Sequence, residues 1–374
     1  MKIALVTDWL ISYAGSEKVE EAILGLFPEA DVYTCVYDPD AFSQTRFVEH
    51  EVRQSFISRL PKAKTHYQKY LPLMPYAVEQ FDLGAYDVII SSSHAVAKGV
   101  LTGPDQLHVC YCHTPIRYAW DFQHQYLAES GMGKGIKGIV ARYLLHRLRL
   151  WDVRTANGVD FFVANSRYIA RRINKVYRRD AEVIYPNVAV DDFSLVEEKD
   201  DFYLAASRLV PYKRVALIVE AFTKMPDKRL VVIGHGEQMG QIKQMLTPNI
   251  TYLGYQPFAE LKHYMEQAKA FVFAAEEDFG IMPIEAQACG TPVIAYGRGG
   301  ALETVVDGET GIHFYEQSCA GIVAAVERFE REGVKRSPAL IRSHAERFSR
   351  QRFDERFKNF VDERWSEFRR QRGF

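Results

Sequence analysis

Short apolar runs of strand-forming residues alternate with helical patterns along this chain, and this alternation strongly limits its fold. Such alternation is typical of parallel sheets whose faces are covered by helices. A chain of 374 residues also exceeds what one hydrophobic core usually supports, so we expect two domains. The predicted fold class is α/β, with two tandem Rossmann-like domains. The predicted strands are KIALVT, ADVYTCV, RFVEHEV, YDVIISSS, LHVCYC, DFFVAN and AEVIY in the first half, and DFYLAA, RLVVIG, NITYLG, AFVFAA, PVIAY and GIHF in the second.

The boundary between the two domains is predicted near residues 185–187, where Pro186 interrupts the pattern before an acidic stretch. We therefore expect an amino-terminal domain over residues 1–187 and a carboxyl-terminal domain over residues 188–347. The tail, residues 348–374, carries aromatic residues at helical spacing and is predicted to be a helix with one buried face. That face is formed by Phe348, Phe353, Phe357, Phe360 and Trp365.

Charge and composition exclude several classes of protein. The formal net charge of −1 argues against bulk nucleic-acid binding, which usually requires a strongly basic domain. The five cysteines are odd in number and lie mostly in apolar segments, which is typical of reduced core cysteines in a cytosolic protein. No unbroken apolar stretch reaches about 18 residues, and the first apolar run has the pattern of a strand rather than a signal peptide. We therefore expect a cytoplasmic protein, either soluble or peripheral on the inner membrane face.

Residues 276–295 combine two acidic side chains, a glycine turn and a helix start between two apolar strands. Glu277 precedes the predicted helix and Glu285 lies on it, so both can face one pocket. The free N–H groups from Gly280 to Met282 would point out of the helix start, where backbone donors and the helix dipole favour phosphate or hydroxyl oxygens. The alternative is an acidic first helical turn that binds no ligand.

Other candidate residues follow other predicted strands. Arg208 and Lys213 lie on a strand-to-helix loop, where fixed cations can clamp a diphosphate. Gly234 and Gly236 belong to a tight turn of the kind that lets a backbone approach a ligand. Gly15 lies on the loop after the first strand. Because such folds bind ligands at the carboxyl ends of their strands, we expect a nucleotide-sugar site between the domains.

These segments, in this order, resemble the retaining glycosyltransferases of family 4 over nearly the whole chain. The resemblance implies the GT-B architecture, in which two Rossmann-like domains face each other across a cleft and the last helix crosses back to the first domain. It implies that Glu285 binds the ribose hydroxyls and Glu277 the hydroxyls of the donor sugar. Arg208 and Lys213 would neutralise the departing diphosphate, the charge that a transferase must stabilise in the transition state, without a metal ion.

Two further segments resemble one subgroup of that family. They are CHTPIRYAWD at residues 112–121 and SSSHAVAKG, which contains His94 and Lys98. The subgroup builds cell-surface polysaccharides, and many of its members use GDP-mannose. The resemblance implies that His113 faces the donor sugar, where it either bonds a hydroxyl or stabilises positive charge at the anomeric centre.

The predicted site contains three sets of residues and neither a metal ion nor a cofactor. The sequence Asp38-Pro39-Asp40 is interpreted as a turn rather than as a metal-binding signature. Ala14 stands where relatives often carry a glycine, and a positive φ there would be strained. Trp120 is assigned either to the acceptor or to the core.

The predicted residues are His113, Arg208, Lys213 and Glu277 for catalysis, Gly15, Gly234, Gly236, Tyr255, Phe279, Gly280, Ile281, Met282 and Glu285 for the donor, and His94, Arg117 and Trp120 for the acceptor.

Residues 131–155 form a predicted basic amphipathic helix with two interpretations. Such a helix can lie on an anionic bilayer. It can equally be a core helix whose apolar residues are buried and whose basic residues are solvated. The basic residues are Lys134, Lys137, Arg142, Arg147, Arg149 and Arg154.

Three functions are consistent with the sequence. The first is retaining transfer of a hexose, mannose from GDP-mannose, to a saccharide or lipid-linked acceptor in polysaccharide biosynthesis. The second is a nucleotide-sugar epimerase of the same architecture, against which the motif of Glu277 and Glu285 argues. The third is a catalytically silent nucleotide-sugar-binding subunit, against which the intact Arg208 and Lys213 argue.

Overall fold

The computed structural model describes residues 1–373 of the chain. The chain forms two compact units, one made of Met1–Asn187 together with the chain from Phe353 onward, and one made of Val188–Arg352. Each unit contains one parallel sheet with helices packed against it, which is the Rossmann-like architecture that the alternation of strands and helices predicted.

The first unit is built on a seven-stranded parallel sheet. Its strands are β1 (Ile3–Thr7), β2 (Asp31–Thr34), β3 (Val52–Gln54), β4 (Val88–Ser93), β5 (Leu107–Cys112), β6 (Phe161–Ala164) and β7 (Ala181–Val183). The spatial order is β3-β2-β1-β4-β5-β6-β7, so the direction of chain order reverses between β1 and β4. The helices are α1 (Gly15–Leu26), α2 (Ala63–His66), α3 (Met74–Val78), α4 (Gln123–Glu129), α5 (Gly135–Thr155) and α6 (Arg167–Tyr177).

The second unit is built on a six-stranded parallel sheet with the order β10-β9-β8-β11-β12-β13. Its strands are β8 (Asp200–Ala206), β9 (Leu230–Ile233), β10 (Ile250–Gly254), β11 (Ala268–Phe273), β12 (Val293–Tyr296) and β13 (Gly311–Phe314). Here the direction of chain order reverses between β8 and β11. The helices are α7 (Val215–Thr223), α8 (Met239–Gln244), α9 (Phe258–Gln267), α10 (Ile281–Ala288), α11 (Ala301–Thr304), α12 (Cys319–Glu332) and α13 (Pro338–Ala345).

Burial on both faces explains why the central strands are almost continuously apolar. Every residue of β1, β4 and β5 is buried, because helices cover both sides of the sheet. The last helix, α14 (Arg350–Arg372), contributes Phe353, Phe357 and Phe360 to the core on one face of the first sheet. Phe353 and Phe357 each lie with ring centroids 5.9 Å from that of Tyr111 on β5.

Two details differ from the sequence-based expectation. The segment RFVEHEV was predicted as one strand, but residues Arg46–Glu49 form a 3-10 turn and the strand begins only at Val52. Phe348 was placed on the buried face of the last helix, but it lies in a 3-10 turn before that helix. Its ring packs against Phe279 in the second unit, with centroids 5.6 Å apart.

Candidate active site

Three predicted residues of the second unit lie where the sheet reverses its chain order. Arg208 and Lys213 follow β8, and Glu277 follows β11, the neighbouring strand. Open parallel sheets bind ligands outside the carboxyl ends of the strands at such a reversal. The first unit repeats this arrangement, since Asp8 follows β1 and His94 follows β4.

Lys213 and Glu277 form an ion pair between the Nζ of the lysine and the Oε1 of the glutamate. Their side chains are only 14% and 18% exposed. Arg208 donates a hydrogen bond of 3.1 Å to the hydroxyl of Tyr212, whose ring centroid lies 5.4 Å from the Nζ of Lys213. The structure thus brings the two predicted cations and one predicted carboxylate into one cluster.

The electrostatics of this cluster keep Lys213 positively charged. Burial lowers the pKa of Lys213. The carboxylate of Glu277 and the hydroxyl of Tyr212 raise it by more than burial lowers it, so the pKa lies above its ordinary value. Arg208 opposes this rise because like charges repel. A lysine whose pKa is raised is protonated at neutral pH. The site therefore presents a fixed positive charge for an anionic group.

Gly234 and Gly236 lie where the turn after β9 packs closely against the loop that carries Arg208. A Cβ at Gly234 would lie 1.9 Å from the carbonyl oxygen of Ser207, and a Cβ at Gly236 would lie 2.5 Å from that of Leu209. Backbone hydrogen bonds of Leu209 connect the same two segments. The space that the absent side chains leave is thus filled by the loop that carries Arg208, and the glycine turn holds that loop in place.

The start of α10 has the geometry predicted from the sequence. Gly280 precedes the helix with a φ of +91°, which residues other than glycine rarely adopt. Ile281 and Met282 are half-buried in the first turn, and Glu285 is buried one turn further along. Tyr255, by contrast, is 75% exposed directly after β10.

Gly299 and Gly300 were not predicted, yet they support the loop that carries Glu277. A Cβ at Gly299 would lie 2.3 Å from the carbonyl oxygen of Glu277, and a Cβ at Gly300 would lie 2.3 Å from the Cα of Phe279. The N–H of Gly300 donates to the carbonyl of Glu277 at 2.8 Å. The signal in the sequence was the run GRGG directly after β12. Since the ring of Phe279 is buried, a donor contact at that position would come from its backbone.

Asp8, which we did not predict, organises the candidate site of the first unit. Its carboxylate is 1% exposed and accepts backbone N–H groups from His94, Ala95, Val96 and Ala97 at distances of 2.5 to 2.9 Å. The Nδ1 of His94 lies 3.0 Å from the same carboxylate. One buried side chain at the end of β1 thus fixes the loop after β4. The signal in the sequence was an acidic residue ending an apolar strand.

His113 lies beside His94, with ring centroids 6.4 Å apart. The Nε2 of His113 is 2.8 Å from the hydroxyl oxygen of Ser92, and its carbonyl accepts a hydrogen bond of 3.0 Å from the side chain of Asn165. Burial, together with the nearby His94, lowers the pKa of His113 to about 3. The ring is therefore neutral at physiological pH. A neutral ring is compatible with both expected roles, a hydrogen bond to a sugar hydroxyl and stabilisation of positive charge at the anomeric centre.

Gly15 is the first residue of α1, and the loop before it is unstrained. Ala14 has a φ of −140°, an extended conformation that any residue adopts, so the departure from a glycine pair carries no cost. The carboxylate of Glu17 accepts the N–H of Ala14 and the hydroxyl of Ser16, both at 3.0 Å. Glu17 therefore caps the helix that begins at Gly15.

Lys98 of SSSHAVAKG and Trp120 of CHTPIRYAWD both contact the buried carboxylate of Asp152. The Nζ of Lys98 lies 2.7 Å from the carboxylate of Asp152 on α5, and both side chains are almost fully buried. The same carboxylate accepts hydrogen bonds from the Nε1 of Trp120 at 2.8 Å and from the hydroxyl of Tyr177. With the Trp120 N–H occupied in this way, only its half-buried ring could contact an acceptor.

The remaining predicted acceptor residue, Arg117, is half-buried with its guanidinium over the ring of Phe122, 4.4 Å from the centroid. Asp121 forms a two-bond ion pair with Arg172 of α6, and Arg172 also donates to Thr114. The motif at residues 112–121 is thus anchored to the helices that follow it.

Helix α5 carries a row of apolar side chains on its solvent side. Ile136, Ile139 and Tyr143 are 80%, 68% and 61% exposed, and Val140 and Leu150 are also exposed. At 3.6 residues per turn these five residues fall within an arc of about 100°, and we call them the apolar stripe of α5. The expectation that the apolar residues of a core helix are buried is wrong for this stripe. The residues that α5 buries are Gly138, Leu148, Asp152 and Thr155.

Residues 1–373 contain no group of three or more His, Cys, Asp or Glu side chains placed to hold a metal ion. Asp38 pairs with Lys64 at 2.7 Å, and Asp40 lies in a 3-10 turn. The sequence Asp38-Pro39-Asp40 thus forms part of a turn, as predicted. No helix in the same range is long and apolar enough to cross a bilayer.

Comparison with known proteins agrees with this geometry. The profile described as Glycosyltransferase Family 4 matches residues 28–192, and the profile described as Glycosyl transferases group 1 matches residues 189–348. The O-antigen chain mannosyltransferase RfbU of Salmonella typhimurium is 34% identical over 133 residues, which is 33% of this chain and 38% of that protein.

A further relative and a solved structure are also similar to this chain, the latter in fold. The GDP-mannose-dependent alpha-(1-6)-phosphatidylinositol monomannoside mannosyltransferase of Mycolicibacterium smegmatis is 28% identical over 189 residues, covering 42% of this chain and 50% of that protein. The structure of Anabaena Alr3699/HepE in complex with UDP-glucose superposes with a TM-score of 0.68 at 17% identity, covering 97% of this chain and all of that one.

The chain spans about half the length of the curated relatives it matches. The two family profiles nevertheless adjoin each other and together cover residues 28–348. The fold, the cluster of Arg208, Lys213 and Glu277, and these matches lead to one conclusion. The chain belongs to the family 4, or group 1, glycosyltransferases.

Proposed function

We propose that this protein is a retaining hexosyltransferase that transfers mannose from GDP-mannose to a saccharide or lipid-linked acceptor. The observation that carries the proposal is the pairing of Lys213 with Glu277 beside Arg208, at the edge of the sheet where α10 begins. Cations there suit a diphosphate, and a carboxylate suits the hydroxyls of a sugar. Two of the similar proteins are mannosyltransferases by name, which favours mannose.

The chemistry follows from the charge that the leaving group acquires. The bond between the anomeric carbon and the phosphate oxygen breaks, and a bond from the acceptor oxygen forms on the same face. The proton of the acceptor hydroxyl passes to the departing phosphate. Arg208 and Lys213 stabilise the negative charge that develops on the diphosphate, and this preorganised stabilisation lowers the barrier.

A donor comparison tests the proposed function. The protein is incubated with radiolabelled GDP-mannose, UDP-glucose or UDP-galactose and octyl α-mannoside, and the glycolipid product is treated with an α-mannosidase. We expect a product from GDP-mannose alone, and we expect the α-mannosidase to remove its label. Transfer from a UDP-sugar would contradict the donor, and a product resistant to the α-mannosidase would contradict the retaining mechanism.

The two acids should have separable effects on binding. Glu285→Gln removes the charge from the proposed ribose contact, so it should weaken GDP and GDP-mannose alike by roughly tenfold or more, as expected for a hydrogen bond to a charged group. Glu277→Gln should weaken only GDP-mannose, because Lys213 keeps its charge and remains available to the diphosphate. Titration calorimetry with both ligands measures the difference. An equal loss of GDP affinity in both variants would contradict the assignment.

The proposal includes a peripheral position on the anionic inner face of the membrane, where a lipid-linked acceptor resides. The apolar stripe of α5 is exposed, and so are Lys137 and Arg147 on the same helix and Lys134 directly before it. A helix with this arrangement buries its apolar side chains at the headgroup boundary while its basic side chains reach anionic lipids. The occupant that fits both features is an anionic bilayer.

Sedimentation with liposomes tests the membrane contact. Binding to vesicles of phosphatidylglycerol and phosphatidylcholine should weaken as salt rises, because charges separated by more than about 8 Å are screened at 0.15 M ionic strength. Replacing Lys134, Lys137 and Arg147 by glutamate should abolish it, and Ile136→Ser with Ile139→Ser should weaken it. Arg142 is left unchanged because it bonds the carbonyl of Gly133 at 2.7 Å.

A matched triple variant controls for net charge in this experiment. Lys224, Lys243 and Lys335 are exposed residues of the second unit, and their replacement by glutamate changes the net charge equally. That variant should sediment like the unmodified protein. Equal binding to neutral and anionic vesicles, or equal loss in both triple variants, would contradict the assignment of α5.

A further inference from the structure

The environment of Asp8 determines where His94 carries its proton. The buried carboxylate already accepts four backbone N–H groups, and the Nδ1 of His94 is the fifth nitrogen within hydrogen-bond distance of it. An ionised carboxylate can only accept hydrogen bonds, so Nδ1 must be the donor. In the neutral form of the ring, the proton is then on Nδ1 and the lone pair on Nε2.

The ring of His94 is held firmly enough for this lone pair to be directional. The indole of Trp9 packs edge-on against the ring, with centroids 4.7 Å apart and an interplanar angle of 87°. His113 lies on another side, and its own Nε2 is engaged by Ser92. The side chain of His94 nevertheless remains 27% exposed. A fixed and partly exposed ring nitrogen can select a ligand by its hydrogen-bonding capacity.

We propose that Asp8 is a positioning residue that holds His94 with its proton on Nδ1, so that Nε2 accepts a hydrogen bond from a hydroxyl of the acceptor saccharide. This inference rests on the proposed function and deepens it. A lone pair repels the oxygens of a phosphate, which carry no proton, but it matches the O–H of a sugar. Nε2 of His94 therefore suits a sugar hydroxyl rather than a phosphate group.

Two substitutions at His94 separate the two ends of the imidazole. The amide of asparagine reaches about as far as Nδ1, so His94→Asn can keep the contact with Asp8 but lacks the atom that meets the acceptor. The amide of glutamine reaches about as far as Nε2, so His94→Gln can supply an oxygen there. Asp8 itself is left unchanged, since its replacement would deprive four backbone N–H groups, three of them buried, of their acceptor and could prevent folding.

The kinetic test uses GDP-mannose as donor and octyl α-mannoside as acceptor. We expect His94→Asn to raise the KM for the acceptor about tenfold, the loss expected for one hydrogen bond. His94→Gln should recover most of that loss, and His263→Asn, at an exposed site of the second unit, should behave like the unmodified protein. Hydrolysis of GDP-mannose by water, which needs no acceptor, should also be equal in His263→Asn and the unmodified protein.

A spectroscopic measurement tests the inference without any substrate. The chain has 11 histidines, and the loss of one ring signal in His94→Asn identifies that of His94 in the ¹⁵N spectrum of histidine-labelled protein. We expect the Nδ1–H tautomer at neutral pH. Observation of the Nε2–H tautomer, or of a charged ring, would overturn the inference, as would an unchanged acceptor KM in His94→Asn. Failure of the unmodified protein to use GDP-mannose would instead count against the proposed donor and would leave the spectroscopic result to decide the role of Asp8.

Discussion

Replacing Lys213 by methionine should lower the rate of sugar transfer about 30-fold to 150-fold, which corresponds to the loss of roughly 2 to 3 kcal/mol of transition-state stabilisation. The physical reason is that methionine keeps the approximate length of the side chain but cannot neutralise the charge on the departing diphosphate. The measurement is the initial rate of transfer from GDP-mannose in excess EDTA, where the unmodified protein should remain active because its own cations perform this role.

Two further variants serve as controls for the charge and for the position of Lys213. Lys213→Arg keeps the positive charge and should recover part of the rate. Lys262→Met removes a lysine on α9 that pairs with Glu266 at 3.6 Å, outside the cluster, and should leave the rate unchanged. If Lys213→Met transferred mannose at the original rate, the diphosphate would have to be bound elsewhere. Activity that EDTA abolishes and Mg²⁺ restores would contradict neutralisation by protein cations alone.

The second large effect should be on stability. Lys98→Met leaves the carboxylate of Asp152 buried without its cation, and breaking a buried ion pair in this way typically costs about 3 to 5 kcal/mol. For a unit of this size, such a loss lowers the midpoint of thermal unfolding by about 6 to 20 °C. Differential scanning calorimetry should show the shift in the transition of the first unit, to which Lys98 and Asp152 both belong.

The chain contains a matched control for burial. Lys64 and Asp38 lie 2.7 Å apart, the same distance as Lys98 and Asp152, but the side chain of Lys64 is 51% exposed. Lys64→Met should therefore leave the unfolding midpoint nearly unchanged, because water solvates the remaining carboxylate. Equal shifts in the two variants would show that burial does not determine the contribution of these pairs.

The strands of this fold could be predicted because parallel sheets covered on both faces require continuous apolar runs. Each of the predicted runs contains or overlaps a strand of the structure. The error at RFVEHEV has a local cause. Its apolar residues Phe47 and Val48 are adjacent rather than alternating, and Phe47 alone is buried, from a 3-10 turn. Phe348 was misplaced because helical spacing continues across the turn that precedes α14.

Residues whose own side chains carry the proposed chemistry could be predicted from the sequence. Residues that position those side chains were harder to predict. Lys213 and Glu277 are separated by 64 residues, yet both follow strands that the sheet places side by side. Asp8 escaped prediction because its partners are backbone N–H groups, so the acidic residue at the end of an apolar strand was the one sign of its role. Gly299 and Gly300 escaped it because their role depends on how closely two loops approach. The exposure of the apolar stripe of α5 is likewise decided by which face of the helix meets the sheet.

The path of the chain has a consequence for the order in which the protein is assembled during synthesis. The core against Tyr111 includes Phe353 and Phe357, which the ribosome adds after the whole of Val188–Arg352. The second unit is continuous in the chain, so it can complete its core while the first still lacks part of its own. Domains fold as units during synthesis, commonly from the amino terminus. Here the amino-terminal unit completes its core only after the second unit has been synthesised, so the apolar surface that α14 covers stays exposed until then.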